Sequence, residues 1–277
     1  MINALYPPAR PQSVGEVLDL AFRIFGATLL KCLPFAALAV IAGQLPNAYT
    51  LSSGQPLLTN PQVALQRLFD PKFWLLELVA IFLTVILTNA VVLRQYALIT
   101  AQPMSGSAAL SAGMRHAPGI VLIWILIALP WVLFGVLALN GAALLCLLVF
   151  VIASILVLRW SCAVVVCLVT ERGPLKSMSR SWQLTRGQFW RLSLIYSVGL
   201  VLLIVLYVLS GVISSVVALM FVRGNLAMIT AAATVVVVLM GGFATPFYSA
   251  LALAILGDLS VRSEGGDLER RISAPAS

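Results

Sequence analysis

Few residues in this chain could carry out chemistry. Its 277 residues include one histidine, nine acidic residues and four cysteines. Hydrolysis at a divalent metal needs carboxylates and histidines gathered around the ion, but His116 lies beside Arg115 and has no Asp or Glu near it in sequence. The cysteines lack the paired CxxC spacing of a metal or redox site. We therefore predict no catalytic residue, no metal site and no cofactor, and we expect that the protein is not an enzyme.

One possible polar site lies within an apolar stretch. Glu77, Thr84 and Thr88 follow helical spacing and share a face, and Asn89 is adjacent. Ionisable residues inside membrane spans are often functional, so these residues could form a proton or cation site. The alternative is that Glu77 lies at the shallow end of its span and reaches water. The sequence leaves both interpretations open.

A second stretch, SMSRSWQLTRGQFWRL at 177–192, places arginines and tryptophans between two apolar segments. Tryptophan rings favour the headgroup layer of a bilayer, and each Arg near an anionic leaflet contributes about 1 kcal/mol. The stretch could also bind RNA, but it is short, is flanked by spans and has no soluble fold to present it. We predict contact with anionic lipid headgroups and no nucleic acid, with docking of a membrane or cytoplasmic protein as the alternative. The predicted interface residues are Arg180, Trp182, Arg186, Trp190 and Arg191.

The composition sets the class of protein that holds these residues. Hydrophobic residues make up 61% of the chain and charged residues 9%, whereas soluble domains are about one quarter charged. A bilayer core requires about 20 apolar residues per helix. The sequence predicts an all-α polytopic membrane protein, with a single bundle over 1–263 and a flexible cytoplasmic tail over 264–277. The six predicted transmembrane helices cover about 26–46, 74–93, 119–139, 142–169, 192–221 and 226–256.

The distribution of positive charge predicts the orientation. Of the 17 Lys and Arg residues, only Arg67, Lys72 and Arg223 fall on one side of a six-span arrangement. Cytoplasmic loops collect Lys and Arg. We therefore expect both termini in the cytoplasm and attribute the net charge of +8 to these loops.

The spans are predicted to form three hairpins, each preceded by a cytoplasmic amphipathic helix. The first such helix, at 13–25, begins with a capping box between Ser13 and Glu16 and has apolar residues at helical spacing. A similar segment covers 105–117, and a third begins at Gly173. Two predicted hairpin turns are ALNGA at 138–142 and VRGNL at 222–226.

Three motifs taken together resemble a known family. They are SVGEVLDLAF at 13–22, ERGPLKSMSRSWQLTRGQFWRL at 171–192 and LGDLSVRSEGGDLE at 256–269. In this order they resemble the bacterial glycerophosphoryl diester phosphodiesterase membrane-domain family, in which some members carry a fused soluble phosphodiesterase domain. The resemblance implies a bacterial inner-membrane location and a membrane bundle, but it supplies no reaction. The segment at 105–117 departs from the family because it lacks acidic residues.

These observations lead to two functional hypotheses. The first is a non-catalytic integral inner-membrane protein whose cytoplasmic amphipathic helices engage lipid headgroups or a protein partner. The alternative is a small-solute or proton-linked transporter or permease, which depends on Glu77 and on Gly and Pro residues that interrupt the last span.

Overall fold

A computed structural model describes residues 6–52, 69–102, 104–170, 172–221 and 226–273. Within these ranges the secondary structure is helical and contains no strand. The helices, in chain order, are α1 (Val14–Gly43), α2 (Leu45–Ser52), α3 (Pro71–Ile99), α4 (Gly106–Leu139), α5 (Ala143–Trp160), α6 (Ala163–Val169), α7 (Pro174–Leu184), α8 (Phe189–Phe221) and α9 (Leu226–Ser273).

Six helical segments are long and apolar enough to cross a membrane. They are Val14–Thr50, Pro71–Ile99, Gly106–Leu139, Ala143–Val169, Phe189–Ile213 and Val238–Ser263. Each overlaps one of the six predicted spans, so an all-helical, multi-pass membrane protein is confirmed. Helix α9 continues to Ser273, so its backbone extends into the segment for which the sequence predicted a flexible tail.

Polar side chains define where several helices begin. The predicted capping box is present: the Ser13 amide donates to the Glu16 carboxylate at 2.6 Å, and the Glu16 amide donates to the Ser13 hydroxyl at 3.3 Å. Asp70 and Ser105 cap α3 and α4 in the same way, through their side-chain oxygens. These contacts satisfy amide groups that have no partner in the first turn of a helix.

The segments predicted as amphipathic helices differ from one another in the structure. Residues 13–25 and 105–117 run directly into the spans, as the first turns of α1 and α4. In the third case, α7 is a separate helix of 11 residues that ends before α8 begins. The turn predicted at 138–142 joins α4 to α5, with Gly141 at a φ of +70° that favours glycine. Most of the turn predicted at 222–226 lies outside the described residues.

The packed core lies towards one end of the bundle. Helix α1 packs against α9 and α3, and α3 packs against α4. In an 18-residue apolar segment of Val238–Ser263, 61% of residues are buried, against 11% in the corresponding segments of Gly106–Leu139 and Ala143–Val169. We call the region around Gln12, Arg191 and Asp258, where α9 is buried, the charged end. The region around the α4–α5 turn is the apolar end.

At the apolar end, large side chains face outwards. Leu129, Val132 and Leu144 are between 62% and 85% exposed. Exposing apolar surface to water costs about 25 cal/mol per Å², but lipid tails are as apolar as leucine and remove that cost. This end is therefore suited to hydrocarbon and does not need a protein core of its own.

Candidate functional site

Helix α7 presents two different faces. Gly173 precedes the helix in an extended conformation and Pro174 occupies its first position, where a missing N–H costs nothing. One face is buried against the protein and consists of Ser177, Met178, Ser181 and Leu184. The other face is exposed and carries most of the charge of this segment. This arrangement places cations on the surface while the helix remains anchored to the bundle.

Helix α7 is anchored to the bundle at a break between α5 and α6. Helix α5 ends at Trp160 and α6 begins at Ala163, so the carbonyl of Arg159 has no regular helical partner. The hydroxyl groups of Ser181 and Thr185 donate to this carbonyl at 2.8 Å and 3.3 Å. The sequence predicted one continuous span over 142–169, whereas the structure divides it at Ser161 and Cys162.

Arg159 completes the contact between α5 and α7. Its Nη1 donates to the carbonyl of Thr185 at 2.8 Å, at the end of α7. Its guanidinium carbon lies 5.2 Å from the centre of the Trp182 ring. A cation is favourable both at the negative end of a helix and over an indole face. These contacts hold Trp182 at the end of α5.

The outer face of α7 forms a shallow basic concavity of about 420 Å³. It is lined by Arg172, Lys176, Ser179, Arg180 and Gln183. In the part of the chain that the structure describes, none of its three cations forms an ion pair. The concavity combines positive charge with hydroxyl and amide groups, which are the groups that bind phosphate oxygens.

Exposed aromatic residues flank this basic surface. Trp182 is 42% exposed and Trp190 is 83% exposed, and Arg186 is also exposed. Together with Arg180, these residues belong to the set predicted to contact lipid headgroups, and that contact stays a prediction. Arg172 and Lys176 were not among the predicted site residues. Lys176 and Arg180 lie one turn apart on α7, and Arg172 lies just before its N-cap, Gly173.

Arg191 has a different environment from the other predicted interface residues. Its side chain is 16% exposed and forms an ion pair with Asp258, which is 2% exposed. Arg191 also donates to the backbone carbonyl of Gln12 at 2.6 Å. Arg191 thus joins the start of α8 to α9 and to the segment before α1.

Asp258 is the centre of this ionic cluster. Its carboxylate also accepts from the backbone amide of Gln12 at 2.7 Å and from Arg262 Nε at 3.1 Å. Arg262 in turn donates to the backbone carbonyl of Gln12 at 2.6 Å. Buried charges require such pairing, because removal from water costs several kcal/mol per ion. The sequence feature that indicates this cluster is Asp258, the one acidic residue in LGDLSVR, which lies four residues before Arg262.

The segment before α1 is held against the same end of α9. A Cβ atom at Gly257 would lie 2.7 Å from a ring carbon of Tyr6, so only glycine permits this close packing. The rings of Tyr6 and Tyr96 meet edge to face, with centres 5.7 Å apart. Burial, with smaller contributions from Tyr96 and Cys162, raises the pKa of the Tyr6 phenol above its ordinary value. The phenol is therefore neutral at physiological pH.

The structure does not bring the predicted intramembrane polar residues together. The Thr84 hydroxyl donates to the Ala39 carbonyl of α1 at 3.2 Å, whereas the Asn89 amide donates to the Gly113 carbonyl of α4 at 3.2 Å. Glu77 and Thr88 are partly buried and form no hydrogen bond with either residue. Thr84 and Asn89 therefore connect α3 to two different helices.

The inventory of potential catalytic groups remains small. Among the described residues, no group of three or more His, Cys, Asp or Glu side chains could hold a metal ion. The His116 ring lies 2.9 Å from the Ala112 carbonyl, one turn earlier in α4. The four cysteines are free.

Searches against protein-family models, curated proteins and solved structures find no match. The resemblance to the phosphodiesterase membrane-domain family therefore remains a prediction from the three motifs.

Proposed function

We propose that this chain is a non-catalytic integral membrane protein that binds anionic lipid headgroups through α7. The observation that carries this proposal is the basic concavity on α7, with Trp182 and Trp190 exposed beside it. Arg and Lys bind phosphate oxygens through charge-assisted hydrogen bonds, and tryptophan is enriched at the boundary between headgroups and hydrocarbon. A protein partner with an acidic surface is the alternative ligand.

The position of α7 supports an interfacial role. Pro174 lies within 4 Å of the Cβ position of Gly119 in α4, and Arg159 of α5 holds the other end of the helix. Both contacts lie where the apolar spans of α4 and α5 meet polar sequence. The charge bias supports an orientation with both termini in the cytoplasm, and the resemblance of the three motifs to a bacterial family supports a bacterial inner membrane. The proposed arrangement is three hairpins, each preceded by an amphipathic helix.

The proposal places the chain in the phosphodiesterase membrane-domain family without assigning it a phosphodiesterase activity. The order of the three motifs in the sequence supports this placement. The first motif contains the capping box of α1, and the last contains Asp258 and Arg262. The middle motif contains the whole of α7.

Lipid binding by the full chain tests the proposal. The protein is placed in nanodiscs of phosphatidylcholine with increasing fractions of phosphatidylglycerol, and the lipids that remain after extraction into detergent are counted by native mass spectrometry. We expect enrichment of phosphatidylglycerol in the wild-type chain. The triple variant Arg172→Gln/Lys176→Gln/Arg180→Gln should lose most of this enrichment, because each cation near an anionic surface contributes about 1 kcal/mol.

The matched control is Arg23→Gln/Lys72→Gln/Arg115→Gln, which removes the same charge from three exposed positions elsewhere. It should retain the part of the enrichment that depends on α7. Equal losses in the two triple variants would show that only net charge matters and would contradict a site on α7.

A further inference from the structure

Arg94, near the end of α3, lacks the partners that an enclosed cation needs. Its Nε and Nη1 atoms are shielded from solvent and have no hydrogen-bond partner. The guanidinium carbon lies 5.8 Å from the centre of the Phe35 ring. A cation–π contact of this kind contributes favourably, but it leaves the donor groups of the guanidinium unsatisfied.

Arg159 differs from Arg94 in the partner of its Nη1 atom, although the Nε of both arginines has no hydrogen-bond partner. Both arginines end a Val-Leu-Arg tripeptide and both lie over an aromatic ring. Arg159 donates to a carbonyl at the negative end of α7. Arg94 instead lies at the positive end of a helix: its Nη1 is 3.3 Å from the position that a Cβ atom of Gly106 would occupy, and Gly106 is the first residue of α4. A helix N-terminus repels a cation.

Among the residues that the structure describes, Arg94 forms no ion pair. The sequence contains no Asp or Glu over 20–69 or over 78–170, which includes α1 beyond its second turn, α3 beyond Glu77 and all of α4. On α9, Asp258 is already bound by Arg191 and Arg262. A second cation, Lys31, lies one turn before Phe35 on α1 and is exposed. Within the described part of the chain, the charge around Arg94 is therefore positive and is not balanced by a paired carboxylate.

From this imbalance we infer that Arg94 and Lys31 bind a phosphate group beside the start of α4. The guanidinium provides a planar pair of donors for phosphate oxygens, and the amide groups in the first turn of α4 favour an anion. A phospholipid suits this place because apolar span surface continues below it: Leu38 and Ile41 of α1 are both about half exposed. This site shares no residue with the α7 surface and does not depend on the function proposed for that surface.

Ligand-dependent thermal unfolding of the full chain in non-ionic detergent tests this inference. The ligands are dihexanoyl phosphatidylglycerol and, separately, inorganic phosphate. A ligand that binds only the folded state raises the unfolding temperature as its concentration increases. We expect Lys31→Gln to weaken the apparent affinity about fivefold and Arg94→Gln to abolish the concentration-dependent shift. Arg115→Gln, an exposed cation elsewhere on α4, should leave the affinity unchanged.

The two ligands distinguish the source of the phosphate. A Lys31-dependent shift with phosphatidylglycerol alone identifies a lipid, and an equal shift with inorganic phosphate identifies the free ion. Because Arg94→Gln could prevent folding, Lys31→Gln at its exposed position provides the second measurement. Affinity that is the same in Lys31→Gln and in the wild type would overturn the inference.

A background variant separates this site from α7. The Lys31-dependent shift should persist in Arg172→Gln/Lys176→Gln/Arg180→Gln. Loss of the whole shift in that triple variant would assign the ligand to α7 and overturn a separate site at Arg94, while the α7 proposal would stand.

Discussion

Apolar side chains have different surroundings at the two ends of the bundle. At the charged end, Leu251 and Ala254 are fully buried among neighbouring helices and Asp258 is enclosed by two arginines. At the apolar end, Leu133 and Leu144 are more than half exposed. The charged end thus contains the more tightly packed protein core, whereas the large side chains of the more hydrophobic apolar end stay exposed.

This difference shows what hydropathy measures in a membrane chain. An apolar side chain is stabilised equally well by a lipid tail or by a neighbouring leucine, so high hydropathy does not indicate burial in protein. At the charged end, Val238–Ser263 is also apolar enough to cross a membrane, but most of it is buried by neighbouring helices. Its apolar side chains therefore pack against protein rather than against lipid.

The strongest test of this comparison is Asp258→Asn. Removal of one partner from a buried ion pair typically costs about 3–5 kcal/mol, because the remaining charge stays enclosed. The variant leaves Arg191 and Arg262 without a counterion, so we expect a loss of about this size in the free energy of unfolding. Equilibrium denaturation in mixed micelles measures it.

Asp19→Asn is the matched control. Asp19 pairs with Arg23, and both side chains are at least 60% exposed. Exposed pairs contribute about 0–1 kcal/mol. If the two variants lost equal stability, Asp258 would not have the central role assigned to it.

A second test compares leucines from the two ends. Leu251→Ala should cost about 2–5 kcal/mol, because it leaves a cavity in a packed core. Leu133→Ala should cost much less, since lipid or detergent fills the space that the side chain vacates. The same unfolding measurement applies to both variants, and a larger loss at Leu133 would reverse the proposed positions of core and lipid surface.

The smallest expected effect comes from adding one methyl group. A Cβ atom at Gly113 would lie 2.7 Å from the backbone oxygen of Ile86, so Gly113→Ala must separate α3 from α4. We expect a loss of about 1–3 kcal/mol and a weaker contact between Asn89 and the backbone of α4.

Gly135→Ala provides the reference at the apolar end, where nothing lies within 4 Å of the new atom. Alanine is the better helix former by about 1 kcal/mol, so this variant should be neutral or slightly more stable. Destabilisation of the same size at both glycines would indicate that close helix contact is not the cause.

Several features of the fold could be predicted because their causes are local. The capping box at Ser13 depends on a residue three positions away, and the six spans depend on continuous apolar runs. The break after Trp160 could not be predicted, because it is stabilised by hydroxyl groups on α7 that are more than 20 residues later. The hydrogen bond of Asn89 could not be predicted for the same reason, because its partner on α4 is 24 residues away.

The stretch at 177–192, predicted to contact lipid, also combines features that the sequence predicts with features that depend on distant contacts. The types of residue in 177–192 indicated an interface, and Arg180, Trp182 and Trp190 are at least partly exposed there. Sequence spacing could not separate Arg191 from them, because its partner Asp258 lies 67 residues away. The concavity on α7 also includes Arg172 and Lys176, which become part of one surface only when the helix forms.

The amino-acid sequence by itself determined that this chain enters a membrane and how many times it can cross, since both follow from the free energy of transferring consecutive side chains into hydrocarbon. Tertiary structure alone decided which arginines are paired. Arg191 and Arg262 pair with Asp258, Arg159 donates to the Thr185 carbonyl, and Arg94 forms no ion pair among the described residues. The reason is that a charge is neutralised by whatever lies within a few ångströms of it, and helix packing sets those distances.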